Sequence, residues 1–363
     1  MPLFKMTKST NQKINFSFST KIKHNEVIIF FRQFAVMLKA GIPISDCLHN
    51  LERQKFSDSF KKILNQIYRD VNSGVLLSDA FAIHTKVFPK FFVSMVRIGE
   101  ASGALDEIMI NMADYYENDR KIKKKVSSAM VYPKLLICMI FFVVIFLCVF
   151  VLPQFESTIS QLGGEVPKLT VVIMALAQFV KNNILFISLG ILVFIFAIIT
   201  FFNTQKGKYV KDVLKVNLPI ISKVERNLIT ARFSRAFIIL LNSGMNMIDV
   251  LENLKKVLGN QVFERQFAFA IEEIKRGKRV AESIEETKLF PQILTEMISV
   301  GENTGNLEDV LESTSSYFDS QVESSIAKAV AMIEPIAIIL LGLVVSFVVL
   351  SVLIPMMSMM NAI

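Results

Sequence analysis

Three stretches of this chain run without a charged side chain: 135–152, 184–202 and 336–354, of 18, 19 and 19 residues. At about 1.5 Å per residue, each crosses a hydrocarbon core of roughly 30 Å as a helix. Elsewhere the apolar positions are periodic. Phe30, Phe34, Met37, Leu38 and Gly41 follow helical spacing, and Phe233, Phe237, Leu240, Leu241 and Gly244 repeat it. Each of these helices stops at its glycine, which suits a left-handed cap. Ile42-Pro43-Ile44-Ser45 and Met245-Asn246-Met247-Ile248 then turn the chain into another helix. The pattern predicts further helices over 57–72, 76–83, 89–100 and 103–133, with counterparts over 260–275, 279–286, 291–301 and 305–335. Pro89 and Pro291 fall in first turns, where proline is tolerated. No segment shows sustained alternation with β-branched residues. The predicted fold class is therefore an all-α integral membrane protein with two homologous cytoplasmic six-helix bundles and three transmembrane helices.

The two bundles are copies of one unit. Val96-Arg-Ile-Gly-Glu-Ala-Ser-Gly-Ala-Leu105 recurs as Ile298-Ser-Val-Gly-Glu-Asn-Thr-Gly-Asn-Leu307. Gly41 matches Gly244, Asp46 matches Asp249 and Gly74 matches Gly277 at an offset of 203 residues. Pro89 then matches Pro291, Gly99 matches Gly301, Pro133 matches Pro335 and Pro153 matches Pro355 at an offset of 202. This period is far above that of solenoid repeats, so the chain is a domain duplication in which each copy carries its own span. The long last helix of each copy runs directly into its span and is expected to couple bundle to membrane rigidly. Pro133 and Pro335 mark the junctions, where an interior proline removes a backbone hydrogen bond and a bend is expected.

Composition agrees with a mixed protein. Hydrophobic residues make up 52% of 363, too many for a wholly soluble chain, yet 20% are charged, too many for a purely intramembrane one. Arg120, Lys121, Lys123, Lys124, Lys125 and Lys134 crowd the front of the first span, and Lys206, Lys208, Lys211 and Lys215 follow the second. The positive-inside bias puts 1–134 and 203–335 in the cytoplasm and the 153–183 connection and the C-terminus outside. The expected organisation is a flexible basic leader at 1–24 and a first cytoplasmic bundle at 25–134. The first span follows at 135–152. A non-cytoplasmic connection at 153–183 has an interfacial helix over 169–180, with an early start of the second span as the alternative reading of that stretch. The second span is expected at 184–202, the second bundle at 203–335, the third span at 336–354, and a short tail at 355–363. The leader has no apolar core, so no cleavable signal peptide is expected. The net charge of +8 concentrates beside the membrane, where it orients spans and meets anionic lipid, so direct nucleic-acid binding is not expected.

Motifs for chemistry are lacking. Gly163-Gly164 is followed by Glu165-Val166-Pro167, not by Lys-Ser/Thr as a P-loop requires, and His24, His49 and His84 are isolated. Cys47, Cys138 and Cys148 have no metal-ligand spacing and read as reduced apolar residues. No enzyme activity, cofactor or metal is expected. A carrier would keep ionisable groups at mid-membrane, and the three stretches hold none. The duplicated Gly-Glu-x-Ser/Thr-Gly segment reads mainly as a helix–helix turn. Gly99, Gly103, Gly301 and Gly305 supply the turn, and Ser102 and Thr304 are expected to cap the next helix. Capping alone does not account for Glu100 and Glu302, which are carried as candidates for subunit or partner contact.

At these residues the chain closely resembles the inner-membrane platform proteins of bacterial type II secretion, type IV pilus and competence pseudopilus machines. The resemblance covers both halves from about residue 27. It rests on Phe31-Arg-Gln-Phe-Ala-Val-Met-Leu-Lys-Ala-Gly-Ile-Pro-Ile-Ser45, the Gly-Glu segment, and the junction with Lys125-Val126, Ala129-Met130, Tyr132-Pro133 and the closing Val151-Leu152-Pro153. The second copy departs with Glu334-Pro335 in place of Tyr-Pro, and Ile140 stands where family members often have a small residue. The resemblance implies an inner-membrane location and self-association at least to a dimer. Implied partners are a cytoplasmic hexameric assembly ATPase, pilin-like subunits and other inner-membrane assembly proteins. Arg32, Lys39, Arg53 and Arg97 of the first bundle are the expected ATPase-facing residues. The competing reading is a membrane receptor or signalling adaptor, which would have no evident need for two membrane-coupled copies.

Overall fold

The computed structural model describes residues 22–146, 179 and 183–360. Among these residues there are sixteen helices and no strand. Compact packing divides the chain after Tyr116.

The first unit holds α1 (His24–Lys39), α2 (Ile44–Glu52), α3 (Asp58–Asn72), α4 (Leu77–Ala82), α5 (Lys90–Ser102) and the first half of α6 (Leu105–Ala129). Its core is aromatic. Phe30, Phe31, Phe34, Phe60, Phe81, Phe88 and Phe92 are all buried. The Phe30 ring sits 5.4–6.0 Å from the rings of Phe34, Phe60, Phe81 and Phe88, and Phe31 stacks on Phe92 at 4.1 Å. Each such pair adds about 0.5–1.5 kcal/mol beyond the area it buries. Glu26 on α1 ties down the start of α3: its carboxylate accepts from the Ser57 backbone N–H at 3.1 Å and from the Ser57 hydroxyl at 2.9 Å. Gly41 and Gly244 take φ of +79° and +71°, the left-handed conformation expected after the first helix of each copy.

The second unit starts with the remainder of α6 and continues through α7 (Val131–Phe146), α8 (Ile184–Asn203), α9 (Gln205–Asn217) and α10 (Pro219–Asn242). It then holds α11 (Met247–Lys255), α12 (Gln261–Lys275), α13 (Val280–Glu286), α14 (Gln292–Thr304), α15 (Leu307–Ala331) and α16 (Ile333–Met360). α10 and α15 lie antiparallel along each other, with the Asn227 amide donating to Ser325 Oγ at 2.8 Å and Arg235 bound to Asp319 nearer the other end. Phe233, Phe237, Phe263, Phe267 and Phe290 form this copy's smaller aromatic core. Ser234 occupies the place of Phe31, with its buried hydroxyl unpartnered among the described residues.

Two helical runs, Leu105–Val143 and Leu307–Leu343, are long and apolar enough to cross a membrane. Each consists of a polar stem followed by an apolar helix, and the two apolar helices, α7 and α16, pack together. The runs are interrupted at Met130 and Met332. Pro133 and Pro335 explain the position: each lacks the N–H that would bond the carbonyl four residues earlier, at Ala129 and Ala331, the last residues of α6 and α15. α8 coincides with the apolar stretch expected at 184–202.

Some expectations shift. Pro89 and Pro291 stand one residue before α5 and α14, not inside their first turns. α16 continues through Pro355 to Met360, because one missing backbone bond does not end a helix whose following residues remain apolar. α9 was not anticipated from the apolar periodicity. Pro153, Cys148 and the 169–180 stretch, Phe179 aside, lie outside the described residues.

Candidate functional site

The repeated Gly-Glu segment has the same geometry in both copies. Glu100, at the end of α5, accepts hydrogen bonds from the backbone N–H groups of Leu77 and Ser78 at 2.6 and 2.9 Å. Glu302 accepts from Val280 and Ala281 at 2.8 and 2.9 Å. Each carboxylate therefore holds the N-terminus of the short helix lying beside it, α4 or α13, where unpaired donors and the helix dipole favour an anion. The glycine before each glutamate lets the next helix approach: a Cβ on Gly99 would lie 2.9 Å from Leu105 Cα, and one on Gly301 would lie 3.0 Å from Leu307 Cα. Gly103 and Gly305 end α5 and α14 with φ of +75° and +72°.

The hydroxyls do something else than expected. Ser102 and Thr304 donate back to the carbonyls of Ile98 and Val300, both at 2.9 Å, and the cap of α15 is Asn306, whose side chain accepts from Asp309 N–H at 3.4 Å. Glu100 and Glu302, the residues that resisted explanation by local capping, are occupied by backbone donors about 22 residues away in sequence.

The second feature is a junction between the α6 stem and the α10–α15 pair of the second copy. Asp119, on the membrane-proximal half of α6, is buried and accepts from Arg232 Nε of α10 at 2.6 Å, while Lys123 Nζ lies 2.6 Å from its other oxygen. Burial alone would raise its pKa, but the Arg232 and Lys123 charges and their hydrogen bonds outweigh that and hold the carboxyl below the usual aspartate value. Further along, Lys125 of α6 pairs with Glu323 of α15. Beside these pairs α6, α10 and α15 enclose an apolar groove of about 560 Å³, lined by residues that include Val126, Met130, Leu218, Ile221, Ile326 and Ile333. The stem of the first copy is thus fastened to the second copy by ion pairs on the side facing away from the apolar helices, and by apolar contact next to them.

The residues expected to face an ATPase are spread over several helices. Arg32 of α1 pairs with Asp114 of α6, and Arg97 of α5 donates to Asp79 of α4 at 2.6 Å. Lys39 and Arg53 are exposed at the ends of α1 and α2. Arg97 and Glu100 both serve α4, so with Arg32 three of the expected contact residues already act within the first unit. Asp119, Arg232 and Glu323 were missed, since nothing local distinguishes them from other charges on solvated helices. Cys47 is buried and its thiol, pushed up to about 11 by burial, is unreactive; no cluster of three or more potential metal ligands occurs among the described residues.

Comparison with known proteins gives a consistent result. The family model described as type II secretion system (T2SS), protein F matches residues 30–153 and again 233–355, at the same offsets as the internal repeat. The type IV pilus assembly protein PilC of Thermus thermophilus is 33% identical over 332 residues, covering 91% of this chain and 82% of that protein. PilC of Myxococcus xanthus is 32% identical over 94% of this chain and 82% of its own length. The type II secretion system protein F of Vibrio cholerae is 30% identical over 95% of this chain and 85% of its own.

Proposed function

This chain belongs to the type II secretion system protein F family, and from that premise we propose that it is the non-catalytic inner-membrane platform of a pilus, secretion or competence machine. In this reading a cytoplasmic assembly ATPase works on the helical bundles, and pilin-like subunits leave the bilayer for the filament at the spans. The chain crosses the membrane three times, at 135–152, 184–202 and 336–354, with both bundles in the cytoplasm. The crossing at 184–202 lets the two copies face the same compartment.

The observation that best supports this role is the tie between the stems. Helices that pass into membrane-crossing helices, fastened to each other directly by Lys125–Glu323 and through α10 by Asp119–Arg232, can transmit a displacement as a unit. Lys39 and Arg53, exposed on the first bundle, remain the proposed ATPase-facing residues, together with Arg32 and Arg97. Glu100 and Glu302 keep any partner role only through the short helices they hold. The test is co-purification of the detergent-extracted chain with the ATPase and the major pilin-like subunit of its own cell. Recovery of both is expected; recovery of neither, with the bundles folded, would move the reading to a signalling adaptor.

A further inference from the structure

The groove between α6, α10 and α15 has no polar lining residue, which is costly on a surface facing water. Its volume is within the range of about 300–1,000 Å³ typical of small-molecule sites. Met130 and Ile333 in its wall stand at the two helix interruptions, where the apolar helices begin. The lining residues Leu218 and Ile221 are 44% and 46% exposed, and Leu218, whose N–H donates to the Leu214 carbonyl at 3.0 Å, links them to exposed Val210 and Leu214 of α9. α9 carries exposed Lys206, Lys208 and Lys211, the composition of a helix lying in a membrane surface.

Its position is fixed from two sides. The turn from α8 is tight enough that a Cβ on Gly207 would lie 1.9 Å from the Phe201 carbonyl oxygen, with Gly207 N–H donating to Thr204 Oγ1 at 3.1 Å. On the other side, Asp212 accepts from Gln261 N–H at 3.0 Å and the Arg265 guanidinium lies 4.6 Å over the Tyr209 ring. Lys223 and Lys328, each between two groove residues in sequence, are exposed as well.

We propose that the groove holds one acyl chain of an anionic phospholipid from the cytoplasmic leaflet, with its headgroup met by Lys223, Lys328 and the lysines of α9. Charge selects this occupant over an apolar helix of another protein: a fully apolar slot edged by cations matches a lipid with a negative head. The link from the slot to Val210 and Leu214 of α9 gives the chain a path in from the bilayer. The proposal rests on the stems entering the membrane, and on no partner protein.

The chain has no tryptophan, so a single introduced indole reports on its own surroundings. The full-length Ile221→Trp variant is reconstituted in phosphatidylcholine vesicles with a fixed minor fraction of phosphatidylglycerol, with bromine quencher on the acyl chains of one lipid or the other. Quenching per brominated lipid is expected to be at least about twofold stronger from phosphatidylglycerol, and to lose that preference when Lys223→Glu and Lys328→Glu are added. Equal quenching by both lipids, or none, overturns the proposal. Met130→Trp repeats the measurement from the opposite wall if Ile221→Trp disturbs the fold. Phe141→Trp on α7 is the topology control: it should be quenched equally by both lipids, and its failure to quench would instead contradict the membrane reading of the stems.

Discussion

Replacing Glu302 should loosen α13 without disturbing the rest of the second unit. Its two carboxylate oxygens take the first two backbone donors of α13, at 2.8 and 2.9 Å. Hydrogen bonds to a charged group contribute about 1.5–3 kcal/mol each when sheltered, and loss of a helix cap costs about 0.5–2 kcal/mol. Glu302 is only half-buried and water can replace part of what is lost, so Glu302→Ala should cost about 2 kcal/mol locally. Glu302→Gln should cost somewhat less, since the amide keeps one acceptor but turns an NH2 toward the other donor. At about 1.4 kcal/mol per factor of ten, the alanine variant should speed amide exchange of Val280 and Ala281 roughly 30-fold. Hydrogen exchange of the full chain in detergent, followed by mass spectrometry of peptides covering 279–286, reads this directly. Glu312→Gln, an exposed change on α15, should leave that peptide untouched. Unchanged exchange in both Glu302 variants would refute the capping role. Lost partner binding with unchanged exchange would return Glu302 to direct contact.

Gly99→Ala and Gly301→Ala should each cost about 1–3 kcal/mol, because the added methyl meets the backbone of Leu105 or Leu307 and a helix must shift; thermal unfolding in detergent measures it. Asp119→Asn removes the charge facing Arg232, which is 17% exposed, and should cost about 2–3 kcal/mol at neutral pH, below the range for a fully buried pair. Because the Asp119 pKa is depressed on folding, its contribution is complete above the ordinary aspartate value near 3.8 and is lost as pH falls through the folded value. Stability of the wild-type chain should therefore decline below about pH 4, and the Asp119→Asn chain should show less of that decline.

The sequence makes local features legible and hides those made by distant residues. Phe30, Phe34, Phe233 and Phe237 announce their helices by spacing alone, and all four are buried. Gly41 and Gly244 announce left-handed caps that the backbone adopts. Glu100 and Glu302 could be singled out as unusual but not explained, because their partners belong to a helix that only tertiary packing brings near. The same holds for Asp119 and Arg232, more than a hundred residues apart. The stem contacts have no signature in either copy alone: residue 321, the repeat partner of Asp119, is Gln321, and Ile29 stands in the place of Arg232. α9 escaped notice because Tyr209, Val210 and Leu214 are exposed and Val216 alone of its larger apolar residues is buried, too little to trace a core-facing stripe.

The α6 stem must stay joined to the α10–α15 pair for the platform to work. The most direct test exchanges the charges of the buried pair in the native cell and counts filaments or secreted substrate. Asp119→Arg alone and Arg232→Asp alone should insert into the membrane yet abolish assembly, and the double exchange should restore a substantial part of it. Normal assembly by both single variants, with the chain present at wild-type levels, would show that the stem works without this tie.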